Sequence, residues 1–206
     1  MPLKILALGH VLKNEQVDLV VSGVNRGANT AAERFLSGTV GAAWHGLVRG
    51  LTAIAASAAY RATDPTLEPA FEAGAVVAGE IARRVAEGSA PREVLYNLNA
   101  PLCTVGQLQG LFHARPGQAV YGDEVREEDD GRGKQHYYLV YKRTGVDLRR
   151  GSEDWALRRR TMTLTVLDRA LQPLPRSVFP QATCDEVFRG AIARHWPIYA
   201  ESPTPS

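Results

Sequence analysis

Three short apolar runs constrain this chain most: Val17–Val21 (VDLVV), Leu51–Ala56 (LTAIAA) and Val94–Leu98 (VLYNL). Each is too short for a stable helix and nearly free of the polar alternation of a half-exposed strand. Such a run reads as a strand covered on both faces, as in a parallel sheet. The stretches between them carry helix signals. Thr39–Val48 follows Ser37, a candidate N-cap. Glu68–Glu87 is Ala-rich and is closed by Gly88. Strand, helix, strand, helix, strand with short links predicts an α/β fold, a Rossmann-like parallel sheet with right-handed crossovers. Ahead of the first run, Leu3, Leu6, Ala7, His10 and Val11 recur at helical spacing, which predicts an amphipathic helix over Leu3–Lys13. Ser22-Gly23 is expected to end the first strand.

The pattern changes after Pro101. His136–Tyr141 and Thr161–Val166 are β-rich, with charged loops and no helix expected between them. The expected organisation is therefore an α/β core over residues 1–112 and a β-rich, antiparallel arm over 113–200 that includes a C-terminal helix. Residues 201–206 (ESPTPS) form a tail disordered by composition.

Composition excludes some partners. With 24 basic and 22 acidic side chains the net charge is +2, which gives no general attraction to nucleic acid or to an anionic membrane. The basic run Arg158-Arg159-Arg160 reads as a solvated edge. The two cysteines, Cys103 and Cys184, make neither a CxxC pair nor a disulfide framework. A reducing compartment follows by default, and with no signal-peptide pattern or membrane-length apolar run the expected location is cytoplasmic.

The chemistry concentrates between Val17 and Ala43. Ligands bind at the carboxyl ends of the strands of an open α/β sheet, and Ser22–Asn29 leave such an end. Gly23 and Gly27 allow close approach of backbone to a ligand. Ser37-Gly38-Thr39 open a helix whose amides and dipole favour an anion. Asn25 adds a hard carbonyl oxygen suited to magnesium or manganese. A plainer alternative stands beside each: Asn25 as a turn residue, Ser37 as a cap. No Lys follows the glycines, so this is not a Walker loop, and it is not GxGxxG. His10, His45, His113, His136 and His195 make no zinc spacing, and Trp44, Trp155 and Trp196 read as packing.

SGVNRGAN followed by SGTVGAA resembles the paired signature of the SurE survival-protein family of 5′/3′-nucleotidases. LYNLNAP, ARPGQAVYGDEV, DDGRGKQHYY, GSEDWAL and TMTLTVL resemble further segments of that family, in order, up to Leu167. The resemblance implies a metal-dependent phosphomonoesterase acting on nucleoside monophosphates, with C-terminal elements exchanged in a homodimer or larger homo-oligomer. Asn25 becomes a metal ligand. Ser37, Gly38 and Thr39 become part of the phosphate pocket, with Ser22, Gly23 and Asn29 shaping its wall.

The resemblance also implies a gap. The family's two metal-binding aspartates stand on an earlier strand ending Asn-Asp-Asp-Gly, and Met1 falls beyond that strand. No residue here replaces them, so no catalytic residue is assigned. A magnesium or manganese ion is expected to be weakly held or absent in this chain, because one amide oxygen does not retain it. Glu33-Arg34-Phe35-Leu36, Trp44-His45 and Ser152-Glu153 depart from the family pattern as well. Three readings follow: a SurE-like 5′-nucleotidase, a module that binds nucleotide or phosphate without hydrolysing it, and an oligomerisation element.

Overall fold

A computed structural model describes residues 7–60, 67–118, 124–129, 131–140 and 145–197. Its main sheet has five strands in the order β1-β2-β3-β7-β4. Strands β1 (Leu19–Arg26), β2 (Thr52–Ala58) and β3 (Leu95–Ala100) run parallel. Strand β7 (Met162–Leu167) pairs antiparallel with β3, and the short β4 (Leu111–His113) runs parallel to β7. Two helices join the parallel strands: α2 (Gly38–Leu47), preceded by the single turn α1 (Glu33–Leu36), and α3 (Leu67–Ala86). A five-residue helix, α4 (Glu153–Leu157), leads into β7, and α5 (Gln181–His195) closes the described chain. The parallel α/β core read from the three apolar runs is the core observed.

Strand periodicity explains both faces. Side chains alternate across a strand, so Ile54, Ala56, Tyr96, Leu98, Leu164 and Val166 share one face and pack under α3 and α5. Ala53, Ala55, Leu95 and Leu167 share the other and pack against Val40, Ala43 and Leu47 of α2. Small residues let the helices sit close: a methyl at Gly46 would lie 2.7 Å from a Val20 methyl. Leu47 is fully buried in that contact, and truncating such a leucine to Ala costs about 2–5 kcal/mol. Helix α3 ends at the glycine expected. Gly88 takes φ +74°, while the Gly88 and Ser89 amides return to Val85 and Arg84.

Helix α5 packs back on α3 and β4. Glu80 of α3 is buried there and accepts hydrogen bonds from Arg83, Arg84 and Arg194. The Arg83 hydrogen bond, ahead of the opposing effect of burial, holds the Glu80 carboxyl below the usual carboxylate range.

Several details differ from the sequence reading. Strand β1 does not stop at Ser22-Gly23. It continues to Arg26 through a register shift between Ser22 and Asn25. In the described part of the expected first helix there is one π-helical turn, Ala7–Val11, with no buried residue. Apolar residues at helical spacing hold a helix only against a face that covers them, and here Val11 is 67% exposed. Residues 1–6 lie outside the described residues, as do 198–206, which include the tail. The Thr161–Val166 run falls on β7, an interior strand of the main sheet between β3 and β4, preceded by the helix α4 where none was expected. Its Met162, Leu164 and Val166 face the α3 side of the core, so the division expected near residue 112 does not coincide with a division of the sheet. Among the described strands, β5 (Glu124–Asp129) and β6 (Gln135–Val140) stand apart, as a two-stranded antiparallel ribbon with Val125, Tyr137 and Tyr138 exposed.

Candidate functional site

The carboxyl ends of the parallel strands carry a polar row. Asn25 of β1 is in register with Ser57 of β2, Ser57 with Asn99 of β3, and Asn99 with Thr163 of β7. Registered neighbours point to the same face, so these four side chains cross the sheet side by side. One step down, Asn97 and Thr165 are registered in the same way. The face that is apolar under α2 thus becomes polar toward the strand ends. Apart from Asn25, all these polar residues are buried, and buried polar groups require partners.

The main partner is Asn29. Its amide donates to Asn99 Oδ1 at 2.7 Å, its carbonyl accepts from Asn97 Nδ2 at 2.9 Å, and its side-chain Nδ2 donates to Ser57 Oγ at 2.6 Å. The residue is itself buried. Its polar atoms therefore hang the loop after β1 from β2 and β3. Ser57 carries no turn or motif signal in the sequence, and Asn97, Asn99 and Thr163 stand inside the LYNLNAP and TMTLTVL segments with no sign of the shared row, because that row depends on register.

Gly23 and Asn25 shape the end of β1. Gly23 has φ +123°, and a methyl there would lie 2.1 Å from the Ala56 carbonyl oxygen. Only glycine allows β1 to bulge this closely against β2. The Gly23–Val24 peptide is cis. Asn25 Nδ2 donates to the Gly27 carbonyl at 2.8 Å. This is the turn role foreseen as the plainer alternative, and it leaves the Oδ1 as the atom available to a ligand. Ser22, on the strand just before the register shift, is half-buried.

Ser37 caps α2. Its Oγ accepts from the Thr39 amide at 3.1 Å and the Val40 amide at 3.2 Å. Ser37 and Gly38 line a groove of about 360 Å³ with Arg34, Gly41, Trp44 and Leu171. A methyl at Gly38 would meet nothing within 4 Å. The helix start is thus open to a ligand, and the cap hydroxyl sits beside it. Thr39 contributes its amide to the cap. Its helix dipole favours an anion here.

The loop between Asn29 and Ser37 is fixed by a group that the sequence reading named only as a departure from the family pattern, with no role. Glu153, at the start of α4 behind its cap Ser152, is fully buried. Its Oε2 accepts from the Ala31 amide at 2.8 Å and the Gly117 amide at 3.3 Å. Its Oε1 accepts from Thr165 Oγ1 at 2.9 Å. Burial pushes the Glu153 carboxyl up, opposed by those hydrogen bonds and by the Arg34 charge. The same burial lowers the Arg34 guanidinium, which Glu153 in turn supports. An acidic residue behind a helix-capping serine reads as ordinary capping, so nothing local announced this role.

Among the described residues no group of three or more His, Cys, Asp or Glu could hold a metal ion. No described helix is long and apolar enough to cross a membrane.

Comparison with known proteins gives one consistent result. The profile of the family described as "Survival protein SurE" matches residues 3–123. The 5′-nucleotidase SurE of Rhodospirillum rubrum is 32% identical over 171 residues, which is 83% of this chain and 65% of that protein. The protein of the same name from Anaeromyxobacter dehalogenans is 39% identical over 134 residues, 65% of this chain and 50% of its own length. The crystal structure of the SurE protein from Aquifex aeolicus superposes with a TM-score of 0.62 at 27% identity, covering 87% of this chain and 69% of that one. This chain spans about half to two thirds of the length of these curated relatives.

Proposed function

Because the chain belongs to the SurE survival-protein family, we propose that it serves a 5′-nucleotidase, a hydrolase of nucleoside monophosphates. The observation that carries this reading is the open start of α2: Ser37 and Gly38 line a groove, with clear space beside Gly38. Phosphate oxygens at that point meet the Ser37 hydroxyl and the positive end of a ten-residue helix. Asn29 anchors the loop that leads to this start through its bonds to β2 and β3, whereas Ser22 and Gly23 stand on β1, outside the groove's lining.

Hydrolysis of a monoester adds water to phosphorus and releases the ribose oxygen. In this family a divalent metal, magnesium or manganese, supports that step. Asn25 Oδ1 is the oxygen this chain offers it. One neutral amide does not fit an ion that takes several hard oxygens, usually with carboxylates among them, and the described residues add no acidic cluster. What these residues do is bind: they hold the phosphate at the helix start. The binding-only reading differs solely in the absence of turnover.

The exposed ribbon supports a homodimer or larger homo-oligomer. Two strands alone are marginal in water, and Val125, Tyr137 and Tyr138 present apolar area on it.

The test uses the 206-residue chain with a nucleoside monophosphate such as AMP, with inorganic phosphate, and with manganese present or absent. Both ligands are expected to raise the thermal midpoint, and Gly38→Trp is expected to abolish the shift. Turnover is expected to be slow, because among the described residues no acidic cluster joins Asn25. Absence of binding by both ligands, or binding unchanged in Gly38→Trp, would overturn the reading.

A further inference from the structure

Both roots of the ribbon and the root of the phosphate loop converge on two adjacent carboxylates. Glu153 Oε2 accepts from the Ala31 amide, in the loop, and from the Gly117 amide, where the chain leaves for β5. Asp154 Oδ2 accepts from the Asp147 amide at 3.2 Å, where the chain returns from β6. Asp154 Oδ1 lies 3.4 Å from the Thr30 hydroxyl, back in the loop. The packing is as close as the bonding. A methyl at Gly117 would lie 3.3 Å from Asp147 Cβ, 3.3 Å from Asp154 Oδ2 and 3.6 Å from Ala31 Cβ.

We propose that Glu153 and Asp154 form a coupling node, through which the position of the ribbon sets the geometry of the Thr30–Ser37 loop and so the affinity of the helix start for phosphate. This rests on the reading of that helix start as the phosphate site. Glu153 is a positioning residue in this scheme and does not touch the ligand. The physical basis is that one oxygen serves two amides. If the ribbon root moves, Gly117 pulls on the acceptor that fixes Ala31, six residues before the Ser37 cap. Whatever the ribbon engages, a second copy of this chain included, is then felt at the groove.

Full-length Glu153→Ala, Glu153→Gln and Gly117→Ala chains are compared with the parent by amide hydrogen exchange and by titration with inorganic phosphate. In Glu153→Ala the Ala31 and Gly117 amides are expected to exchange together, roughly tenfold faster or more, while the β2 amides keep their protection. Phosphate affinity is expected to fall roughly 5-fold or more. Glu153→Gln restores both readouts, because its carbonyl oxygen can face the two amides while its NH₂ donates to Thr165 Oγ1. Gly117→Ala crowds the ribbon root without reaching the groove and is expected to accelerate Ala31 and weaken phosphate binding. It also serves if Glu153→Ala fails to fold. Acceleration at one of the two amides without the other, or faster exchange with unchanged phosphate affinity, would overturn the proposal. A parent chain that binds no phosphate would remove the phosphate-site reading and the affinity claim with it, while the exchange data would still decide whether loop and ribbon are coupled.

Discussion

Glu153 accepts a hydrogen bond from the amide of Ala31 at 2.8 Å, across 122 residues of chain. A carboxylate just ahead of β7 therefore holds the loop that follows β1. Neither residue is exceptional where it stands in the sequence. Brought together, they fix where the groove-lining turn of α1 begins.

The bond between Asn29 Nδ2 and Ser57 Oγ is expected to be worth a measurable coupling. Ser57→Ala leaves a buried donor unpaired, which costs about 1–3 kcal/mol. In a double-mutant cycle with Asn29→Ala, urea unfolding is expected to show a coupling of about 0.5–1.5 kcal/mol. Strict additivity of the two changes would show that the bond does not hold the loop to β2.

Ser37→Ala removes the acceptor for the Thr39 and Val40 amides. Loss of such a cap is expected to lower stability by about 1 kcal/mol, whereas Ser37→Gly costs only a few tenths. Thermal unfolding of both variants checks this. Equal effects would mean that the hydroxyl contributes little as a cap.

His113 is buried, and its Nδ1 lies 2.7 Å from the Phe179 carbonyl oxygen. Burial lowers the imidazole from its ordinary value, opposed by that contact and aided by the Arg176 charge. A group held low in the folded state is neutral there while the unfolded chain takes up a proton. The stability it contributes is therefore present above the unfolded value, near 6.5, and is lost as pH falls toward the folded value. Urea midpoints of the parent are expected to fall as pH drops below about 6.5. In His113→Gln, whose amide can still donate to Phe179, that part of the slope should vanish. A slope unchanged by the substitution would place the proton uptake elsewhere.

Burial pushes the Cys103 thiol up to about 11 and the Cys184 thiol up to about 12. Both are thus protonated and enclosed at neutral pH. A thiol reagent is expected to label neither in the folded protein and both in denaturant. Rapid labelling of Cys184 in the native chain would show that α5 opens from the sheet.

The sequence by itself determined the elements whose information is local. Apolar runs at Val17–Val21, Leu51–Ala56 and Val94–Leu98 specify buried strands, because few other structures hide such runs on both faces. Ser37 and Gly88 mark helix ends, because a cap and a left-handed stop act within one turn. Tertiary structure decided the rest. The polar row Asn25–Ser57–Asn99–Thr163 exists only once four strands are in register. The place of β7 inside the sheet depends on which strand it pairs with, and its composition suits an arm or a core equally. The turn at Ala7–Val11 shows the converse, a helical spacing with no surface to bury it. The anchoring of the loop at Asn29 and Ala31 runs through partners 28 to 122 residues away. Periodicity and capping act over a few residues, whereas a buried hydrogen bond needs only that two groups meet in space, and no local pattern records where that will be.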